Sequence, residues 1–270
     1  MRQHTRSNTD RLVRQRTLRQ ACAMSHVVLG AAMLTGCAAV TSERLEVEAP
    51  ANITVIAVDV ANQKGAVEVR VDPRIDGPRV NAKIRWANGV KEKQARTLAQ
   101  SVHIETTIDT AGPRAVLRVR STDDVDAELP DHWVNLKITL PRVDGVRVFT
   151  TGGDIVLVGV TGAIQVENGD GAIELRTNTP VKAPVALITK KGSVYFQAPV
   201  GSHGSLDMQT NHGQATFVSK SVVLADMLAT PTTISGVLAR GDNPITLRSG
   251  AGDVRAWIID DPIALVRMFR

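Results

Sequence analysis

The stretch Val148-Phe-Thr-Thr-Gly-Gly-Asp-Ile-Val-Leu157 decides the fold of this chain, because its pattern recurs. Relative to Gly153, apolar residues stand five positions before and two and four positions after, and a small polar residue stands three positions before. The six glycines with this arrangement, which we call the repeat glycines, are Gly65, Gly153, Gly171, Gly192, Gly213 and Gly252. Their recurrence predicts a structure built from stacked repeats.

The spacing and the apolar pattern indicate which kind of repeat this is. From Gly153 onward the repeat glycines are 18, 21, 21 and 39 residues apart, and Gly236 is a candidate for a missing repeat in the longest interval. Apolar residues two positions apart indicate half-buried strands, and the region shows no sustained helical period. We therefore predict an all-β fold, a β-solenoid of stacked short strands with a repeat of about 20 residues. The alternative is an ordinary antiparallel β-sandwich with regular turns.

Two positions of the repeat have a predicted structural role. The glycine supplies a corner conformation that other residues reach only with strain. The Thr, Asn or Ser three positions earlier bonds nearby backbone at the bend. We therefore expect both positions to lie where one strand of a repeat turns into the next.

The first 36 residues have the layout of a bacterial signal peptide. Six arginines between Arg2 and Arg19 precede an apolar run, Ala21–Met33, and Leu34-Thr35-Gly36-Cys37 follows. These four residues resemble a lipobox, so we predict cleavage before Cys37 and lipidation of this cysteine. The alternative is an uncleaved membrane anchor over Ala21–Val40, whose 20 mostly apolar residues are long enough to span a bilayer.

The predicted signal peptide carries the excess positive charge. The chain has 32 Lys and Arg against 27 Asp and Glu, and residues 1–36 hold six of the former and one of the latter. The remaining residues have equal numbers of basic and acidic side chains and lack the basic character that favours nucleic-acid binding.

Loss of Cys22 and lipidation of Cys37 would leave no cysteine pair for a disulfide. Ala38, rather than Asp, follows Cys37, so we expect outer-membrane sorting in a host with two membranes.

The rest of the chain is predicted to comprise a tether, a sheet part, the repeats and a cap. Residues 37–50 are the lipidated cysteine and tether, and residues 51–257 form the β-solenoid domain, with an N-terminal sheet part over 51–141 and the repeats over 142–257. Residues 258–270 form a C-terminal cap. In the sheet part, alternation predicts strands and a run of good helix formers predicts one short helix. These elements are strands Arg79–Trp86 and His132–Leu140, a hairpin of Val102–Ile108 and Arg114–Arg120, and the helix Val90–Ser101.

No pattern of a catalytic, metal-binding or cofactor-binding site stands out. The acidic segment Ser121–Asp131 is a candidate for calcium binding, but its spacing is not that of an EF-hand loop, which favours a solvated loop. His203 and His212 lack a ligand partner at metal-site spacing, and Gly201-Ser202-His203-Gly204 lacks the spacing of a nucleophile elbow. We therefore predict no catalytic residues, no metal and no cofactor.

Carbohydrate chemistry remains the alternative activity. Enzymes that cleave polysaccharides need paired carboxylates on one face. The outward carboxylates that would test this are Glu167, Asp170 and Glu174. Sugar binding without catalysis requires an aromatic platform, and each candidate for it is also explained as a packing residue. These candidates are Trp86, Tyr195 and Trp257.

Three stretches carry a resemblance to a known family. They are Val60–Val69, Val146–Val158 after the strand end Leu140-Pro141, and Thr161–Leu175. They are similar to the DUF4097 family of bacterial β-strand repeat domains, also called adhesin domains, over residues 50–257. The resemblance implies a β-solenoid, often on lipoproteins or membrane proteins, and it implies no catalytic residues.

The sequence thus predicts a lipid-anchored, non-enzymatic protein of the cell envelope whose solenoid face contacts proteins or glycans in an adhesin-like role. The alternatives are a carbohydrate-active enzyme on a β-helix scaffold and a purely structural envelope scaffold. The expected partners are the membrane, through the lipid anchor, and an envelope protein or glycan, without nucleic acid.

Overall fold

The structure, a computed structural model, describes residues 40–45, 55–112, 114–124 and 128–264. The predicted signal peptide, the lipobox Leu34-Thr35-Gly36 and Cys37 lie outside the described residues. Within the part of the chain that is described, no helix is long and apolar enough to cross a membrane.

Strands make up most of the described chain, because β-branched and other aliphatic residues alternate with polar ones. One α-helix, α1 (Glu92–Leu98), and the 3₁₀ turn Ala99–Ser101 interrupt them. The strands are β1 Val40–Leu45, β2 Val55–Asn62, β3 Val67–Val71, β4 Arg79–Trp86, β5 Val102–Asp109, β6 Ala115–Asp123, β7 His132–Leu140, β8 Asp144–Thr150, β9 Ile155–Val158, β10 Thr161–Asp170, β11 Ile173–Arg176, β12 Val185–Lys191, β13 Val194–Ala198, β14 Gly204–His212, β15 Ala215–Ser219, β16 Ala225–Ala229, β17 Thr233–Leu238, β18 Pro244–Ala251 and β19 Val254–Ile258.

The strands form two mixed sheets, and neither sheet closes on itself. Sheet A has the order β1-β4-β7-β3-β9-β11-β13-β19-β15, and sheet B has the order β16-β17-β14-β18-β12-β10-β8-β2-β6-β5. Neighbours in the middle of each sheet are parallel. Antiparallel pairing is confined to the ends, where β1, β4 and β7 pair in sheet A and β5–β6 and β14–β17–β16 pair in sheet B.

Each repeat contributes one strand to sheet B and the following strand to sheet A. Side by side, these strand pairs are β6/β7, β2/β3, β8/β9, β10/β11, β12/β13, β18/β19 and β14/β15. The order departs from the chain order, because β2/β3 lies between β6/β7 and β8/β9, and β18/β19 lies between β12/β13 and β14/β15. The predicted all-β class with one short helix is confirmed, whereas the β-solenoid is not, since the strands form two open mixed sheets.

The core lies between the two sheets and takes the inward residue of each alternation. In β8, Val146 and Val148 are buried, whereas Arg147 and Phe149 are exposed. Burial of each such aliphatic side chain contributes roughly 1.5–3 kcal/mol of transfer free energy. The two-residue period therefore fixes which side chains face the core and which form the outer faces.

The repeat glycines stack where the chain passes from sheet B to sheet A. The N–H of Gly153 donates to the carbonyl of Asp170 at 2.6 Å, and that of Gly171 donates to the carbonyl of Lys191 at 2.7 Å. At all six repeat glycines an added Cβ would lie within 3.0 Å of neighbouring backbone. All except Gly213 also have a positive φ, which is +131° at Gly171. Only glycine fits this close approach of successive strand pairs.

The polar position three residues before each repeat glycine is buried beside this stack. The side chains there are Asn62, Thr150, Asn168, Thr189, Thr210 and Ser249. Asn168 Nδ2 donates to the carbonyls of Gly153 and Gly171 at 2.9 and 3.0 Å, and Ser249 Oγ donates to Gly192 at 2.8 Å. The predicted bonding of this position to backbone at the bend is confirmed, and it satisfies carbonyl groups that would otherwise be buried unpaired.

The predicted elements of the N-terminal sheet part are confirmed. Strands β4 and β7 have the predicted bounds, and β5 and β6 form the predicted antiparallel hairpin. Helix α1 is shorter than predicted, but its Ala95 is buried and Val90 and Leu98 pack against the core. The apolar face of this short element therefore attaches it to the sheets.

Gly236 is not a repeat glycine, which corrects the sequence interpretation. It lies in β17, which is antiparallel to both β14 and β16. This edge hairpin occupies the chain between Gly213 and Gly252 and explains the interval of 39 residues.

The described part of the predicted C-terminal cap lies beside the corner that follows β11. The N–H of Ile263 donates to Asn178 Oδ1 at 3.0 Å, and Asn178 Nδ2 donates to Asp261 Oδ1 at 2.7 Å. The remaining residues, 265–270, lie outside the described residues.

Replacement of Gly171 by Ala is expected to destabilise the fold by about 2–4 kcal/mol, because the new Cβ meets the Gly153 backbone and the positive φ strains any other residue. Urea unfolding followed by circular dichroism measures this change in the free energy of unfolding.

Gly77→Ala is the matched control. No atom lies within 4 Å of a Cβ at Gly77, so its effect should stay within about 0.5 kcal/mol. Equal unfolding midpoints for Gly171→Ala and Gly77→Ala would contradict the packing argument.

Candidate functional site

The outer face of sheet B carries a shallow groove of about 540 Å³. It crosses β6, β2, β8, β10, β12 and β18, a distance of about 24 Å at the usual strand spacing. The residues that form its floor have little bulk above the sheet. They are Ala57, Val116, Gly145, Ala163, Pro184 and Pro244. Because these residues are small, the groove is an open channel that runs across the strands, from β6 to β18.

Charged side chains line one side of the groove. Asp59 accepts a hydrogen bond from Arg120 Nη2 at 2.6 Å, and Arg118 Nη1 lies 3.6 Å from the same oxygen. Arg118 also pairs with Asp109 at 2.6 Å. Arg147 is the register partner of Asp59 on the neighbouring strand and has no ion pair within the described ranges. Its guanidinium is therefore available to an acceptor from outside the chain.

A smaller cleft of about 240 Å³ adjoins the groove at the next row of outward residues. Phe149 is 50% exposed and Ile188 is 38% exposed in this row, and Glu167 lies between them in register. Gln165 Nε2 donates to Glu167 Oε1 at 3.0 Å. Exposed aromatic and aliphatic groups beside arginine and amide groups are typical of protein contact surfaces.

The outer face of sheet A carries a second feature, the aromatic pair Tyr195 and Trp257. Their ring centroids are 6.0 Å apart and their planes differ by 20°. On the adjacent strands β13 and β19, Tyr195 is the register partner of Arg255, and Gln197 is that of Trp257. The two rings therefore meet diagonally across the strands. Both residues are half-buried and keep part of their surface open to solvent.

A polar network adjoins the aromatic pair. Arg176 Nε donates to Glu174 Oε1 at 2.5 Å, and Gln197 Nε2 donates to the same oxygen at 3.3 Å. Gln197 is only 8% exposed, and its Oε1 is buried without a hydrogen-bond partner in the described chain. Nearly all buried acceptors in proteins accept a hydrogen bond. This oxygen is therefore unusual, since no donor reaches it in the described chain.

Two of the residues considered from the sequence, His203 and Ser202, have side-chain hydrogen-bond partners. His203 and His212 lie at opposite ends of β14 and do not approach each other. His203 Nδ1 lies 3.1 Å from Asn243 Oδ1. Ser202 is buried and its Oγ donates to the carbonyl of Pro199 at 2.8 Å, so it holds the loop.

Three residues of the acidic segment, Asp123, Asp124 and Asp131, each contact a basic side chain. Asp124 lies 2.5 Å from His103 Nε2, which lowers the pKa of Asp124, and Asp131 lies 2.6 Å from Lys64 Nζ. Asp126 lies outside the described residues. Among the residues that are described, no cluster of His, Cys, Asp and Glu has the arrangement of a metal site.

The carboxylates considered for glycan cleavage do not share one face. Glu167 points outward from sheet B, Glu174 points outward from sheet A, and Asp170 ends β10. Among the candidates for an aromatic platform, Trp86 is fully buried, whereas Tyr195 and Trp257 come together.

The groove was not predicted, although the sequence contains its signal. Eight positions before every repeat glycine stands a small or compact residue. These residues are Ala57, Gly145, Ala163, Pro184, Ser205 and Pro244. Five of these six form the floor, because register aligns the same position of successive repeats across sheet B.

The carboxyl group of Asp253, beside the aromatic pair, should titrate below its usual pKa of 3.8. The main cause is the backbone N–H of Gln214, which donates to Oδ1 at 3.0 Å, and the second is Arg255, which donates to Oδ2 at 2.7 Å. Because the folded pKa is lowered, this interaction stabilises the fold above the usual pKa and is lost as the pH falls through the folded pKa.

Arg255→Ala should therefore raise the pKa of Asp253 only in part, as measured by carboxyl-carbon NMR titration. Arg248→Ala, on sheet B, is the control and should leave it unchanged. A complete return to the usual pKa in Arg255→Ala would show that Arg255, and not the backbone N–H, is the main cause.

Comparison with known proteins identifies the fold. No family model matches the chain, and no curated protein matches it. A "putative cell adhesion protein" from Clostridium sporogenes is 9% identical with a TM-score of 0.53, covering 81% of this chain and 99% of that chain. A "putative adhesin" from Bacteroides fragilis is 9% identical with a TM-score of 0.32, covering 80% and 96%, which is too distant to support an argument. The likeness to the Clostridium protein shows a shared fold, and membership of the DUF4097 family is not confirmed.

Proposed function

We propose that this chain is a lipid-anchored, non-enzymatic protein of the cell envelope that uses the outer face of sheet B for adhesin-like contacts with proteins or glycans. The observation that carries the proposal is the groove, an open channel across six neighbouring strands. An open channel of this length suits an extended polymer better than a compact metabolite, which enzymes usually enclose in a pocket.

The chemistry of the groove supports a contact role. The floor is uncharged, one side offers Arg147, which has no ion pair with any residue that the structure describes, and the adjoining cleft exposes Phe149. Aromatic and arginine side chains provide much of the binding free energy at interfaces. The groove thus combines an apolar floor with groups that fix the orientation of a bound chain.

The name of the Clostridium sporogenes protein supports the adhesin-like and envelope parts of the proposal, because the two chains share a fold over 81% of this one. We also interpret the stacked strand pairs as the coils of a two-sided solenoid whose sheets are extended by edge strands. In that interpretation, the repeats serve to build a long, regular outer face.

The motif Leu34-Thr35-Gly36-Cys37 supports the lipid anchor. Strand β1 (Val40–Leu45) lies inside the predicted tether and already pairs with β4 in sheet A, which corrects the predicted start of the domain at residue 51. Only two residues separate Cys37 from this strand, so an anchored domain would sit near the membrane surface. The outer membrane is the proposed location in a host that has one.

The parent chain should lose residues 1–36, gain the mass of acyl chains and fractionate with membranes, whereas Cys37→Ala should do none of these. Mass spectrometry and flotation measure the three properties. Cys22→Ala is the control and should behave as the parent does. If the parent and Cys37→Ala both keep their N-terminus and stay in the membrane, the segment is a transmembrane anchor.

In the Cys37→Ala background, which removes the proposed lipid anchor, Ala163→Phe should fill the floor of the groove and reduce binding of the chain to isolated cell envelopes by at least about fivefold, measured by co-sedimentation. Ala229→Phe, at an exposed position of the edge strand β16, is the control and should bind as the parent does. Undiminished binding of the folded Ala163→Phe variant would rule out the groove as the contact surface.

A further inference from the structure

The aromatic pair on sheet A lies on the face opposite the groove and is not explained by the proposed contact surface. The chain has three Trp and one Tyr, and this pair brings together its only Tyr and one Trp on a partly exposed face. We propose that Tyr195 and Trp257 form the stacking platform of a saccharide-binding site for β-1,4-linked, gluco-configured pyranosides.

The two rings provide aromatic surface on which a sugar can stack. Their planes are within 20° of parallel at 6.0 Å between centroids, and each residue keeps part of its surface open to solvent. An aromatic face carries negative charge density and attracts weakly positive C–H groups. In gluco-configured pyranosides the hydroxyl groups are equatorial, which leaves C–H groups on both ring faces. A β-1,4 linkage keeps successive rings flat.

Polar groups beside the rings match sugar hydroxyl groups. The Glu174 carboxylate is held by Arg176 and by Gln197 Nε2, so its orientation is fixed while acceptor capacity remains. Arg255, held by Asp253 at 2.7 Å, retains unused N–H donors on its guanidinium. Aromatic walls with a few oriented polar groups are the usual composition of small-molecule sites.

Gln197 provides a second, independent observation. Its Oε1 is buried and has no partner among the described residues, and it is the register neighbour of Trp257. A ligand hydroxyl group that reached this acceptor would supply the donor that the described part of the chain does not provide.

Charge distinguishes a saccharide from the other ligands that stack on aromatic rings. The ion pairs Arg176–Glu174 and Arg255–Asp253 beside the platform balance in charge, so they provide no net attraction for a cationic ligand such as a quaternary ammonium group. Residues 37–270 hold equal numbers of basic and acidic residues, so they provide no general attraction for a nucleic-acid backbone. An uncharged glycan needs neither form of attraction.

The proposed site rests on the proposed function in one respect only, namely that its ligand occurs in the cell envelope. Binding of a purified saccharide to sheet A is independent of the groove and of the lipid anchor. Failure of the Ala163 or Cys37 experiments would therefore leave this site standing, and its own failure would leave the contact role of sheet B standing.

Trp257 fluorescence tests the proposal directly. The full chain carrying Trp133→Phe retains Trp257 and the fully buried Trp86, so a change in emission on ligand binding reports mainly on Trp257. Cellohexaose and chitohexaose are the probes. We expect a saturable change in emission with at least one of them, and calorimetry of the same chain should give a matching dissociation constant.

Variants assign the binding to the platform. Tyr195→Ala and Trp257→Ala should weaken the affinity measured by calorimetry by at least about tenfold, whereas Trp257→Phe, which keeps an aromatic ring, should lose less. Trp133→Ala, four strands away on the same face and packed under Lys64, should bind as the parent does. Circular dichroism establishes that the variants are folded.

Several outcomes would overturn the proposal. One is the absence of any saturable signal with both hexasaccharides, which would leave the rings as a packing pair across β13 and β19. Another is binding that persists undiminished in folded Tyr195→Ala and Trp257→Ala. Binding of oligothymidylate with the same residue dependence, and of neither saccharide, would assign the platform to nucleobases instead.

Discussion

The chain passes from sheet B to sheet A at the repeat glycines, where neighbouring backbones lie too close to accommodate a Cβ. The glycine N–H groups donate across this gap at 2.6–2.8 Å, and the buried Asn, Thr and Ser side chains bond the carbonyls beside them. This contact sets the separation of successive strand pairs and locks their register. Both sheets inherit that register, because each strand pair that contains a repeat glycine turns from one sheet to the other at this corner.

Because the register is fixed, residues at the same position of successive repeats lie side by side and form a row on the surface. The residue eight positions before each repeat glycine becomes the floor of the groove on sheet B, although its members are far apart in sequence. The charged residues two positions further along, such as Asp59 and Arg147, form its side. The surface features considered for binding are therefore consequences of the same backbone contact that holds the sheets together.

Both proposals place function on the outer faces, since the inward residues are aliphatic and fill the core. Sheet B offers a long channel to an extended partner, and sheet A offers a compact aromatic platform beside an amide oxygen that has no partner within the described ranges. The likeness to a structure named as a putative cell adhesion protein is at 9% identity and concerns the fold alone. The binding chemistry has to come from this chain's own residues.

The sequence by itself determined the local structure, because glycine at the corner, the polar residue before it and the two-residue alternation each have a local physical cause. It also indicated strands such as Arg79–Trp86, where alternation is uninterrupted. Only the tertiary structure decided which strand pairs are neighbours. The repeats bury similar aliphatic residues, so their core patterns do not distinguish one neighbour from another, and the β16–β17 hairpin allows β18/β19 to insert beside β12/β13. That insertion brings together Tyr195 and Trp257, which stacking in chain order would have kept apart.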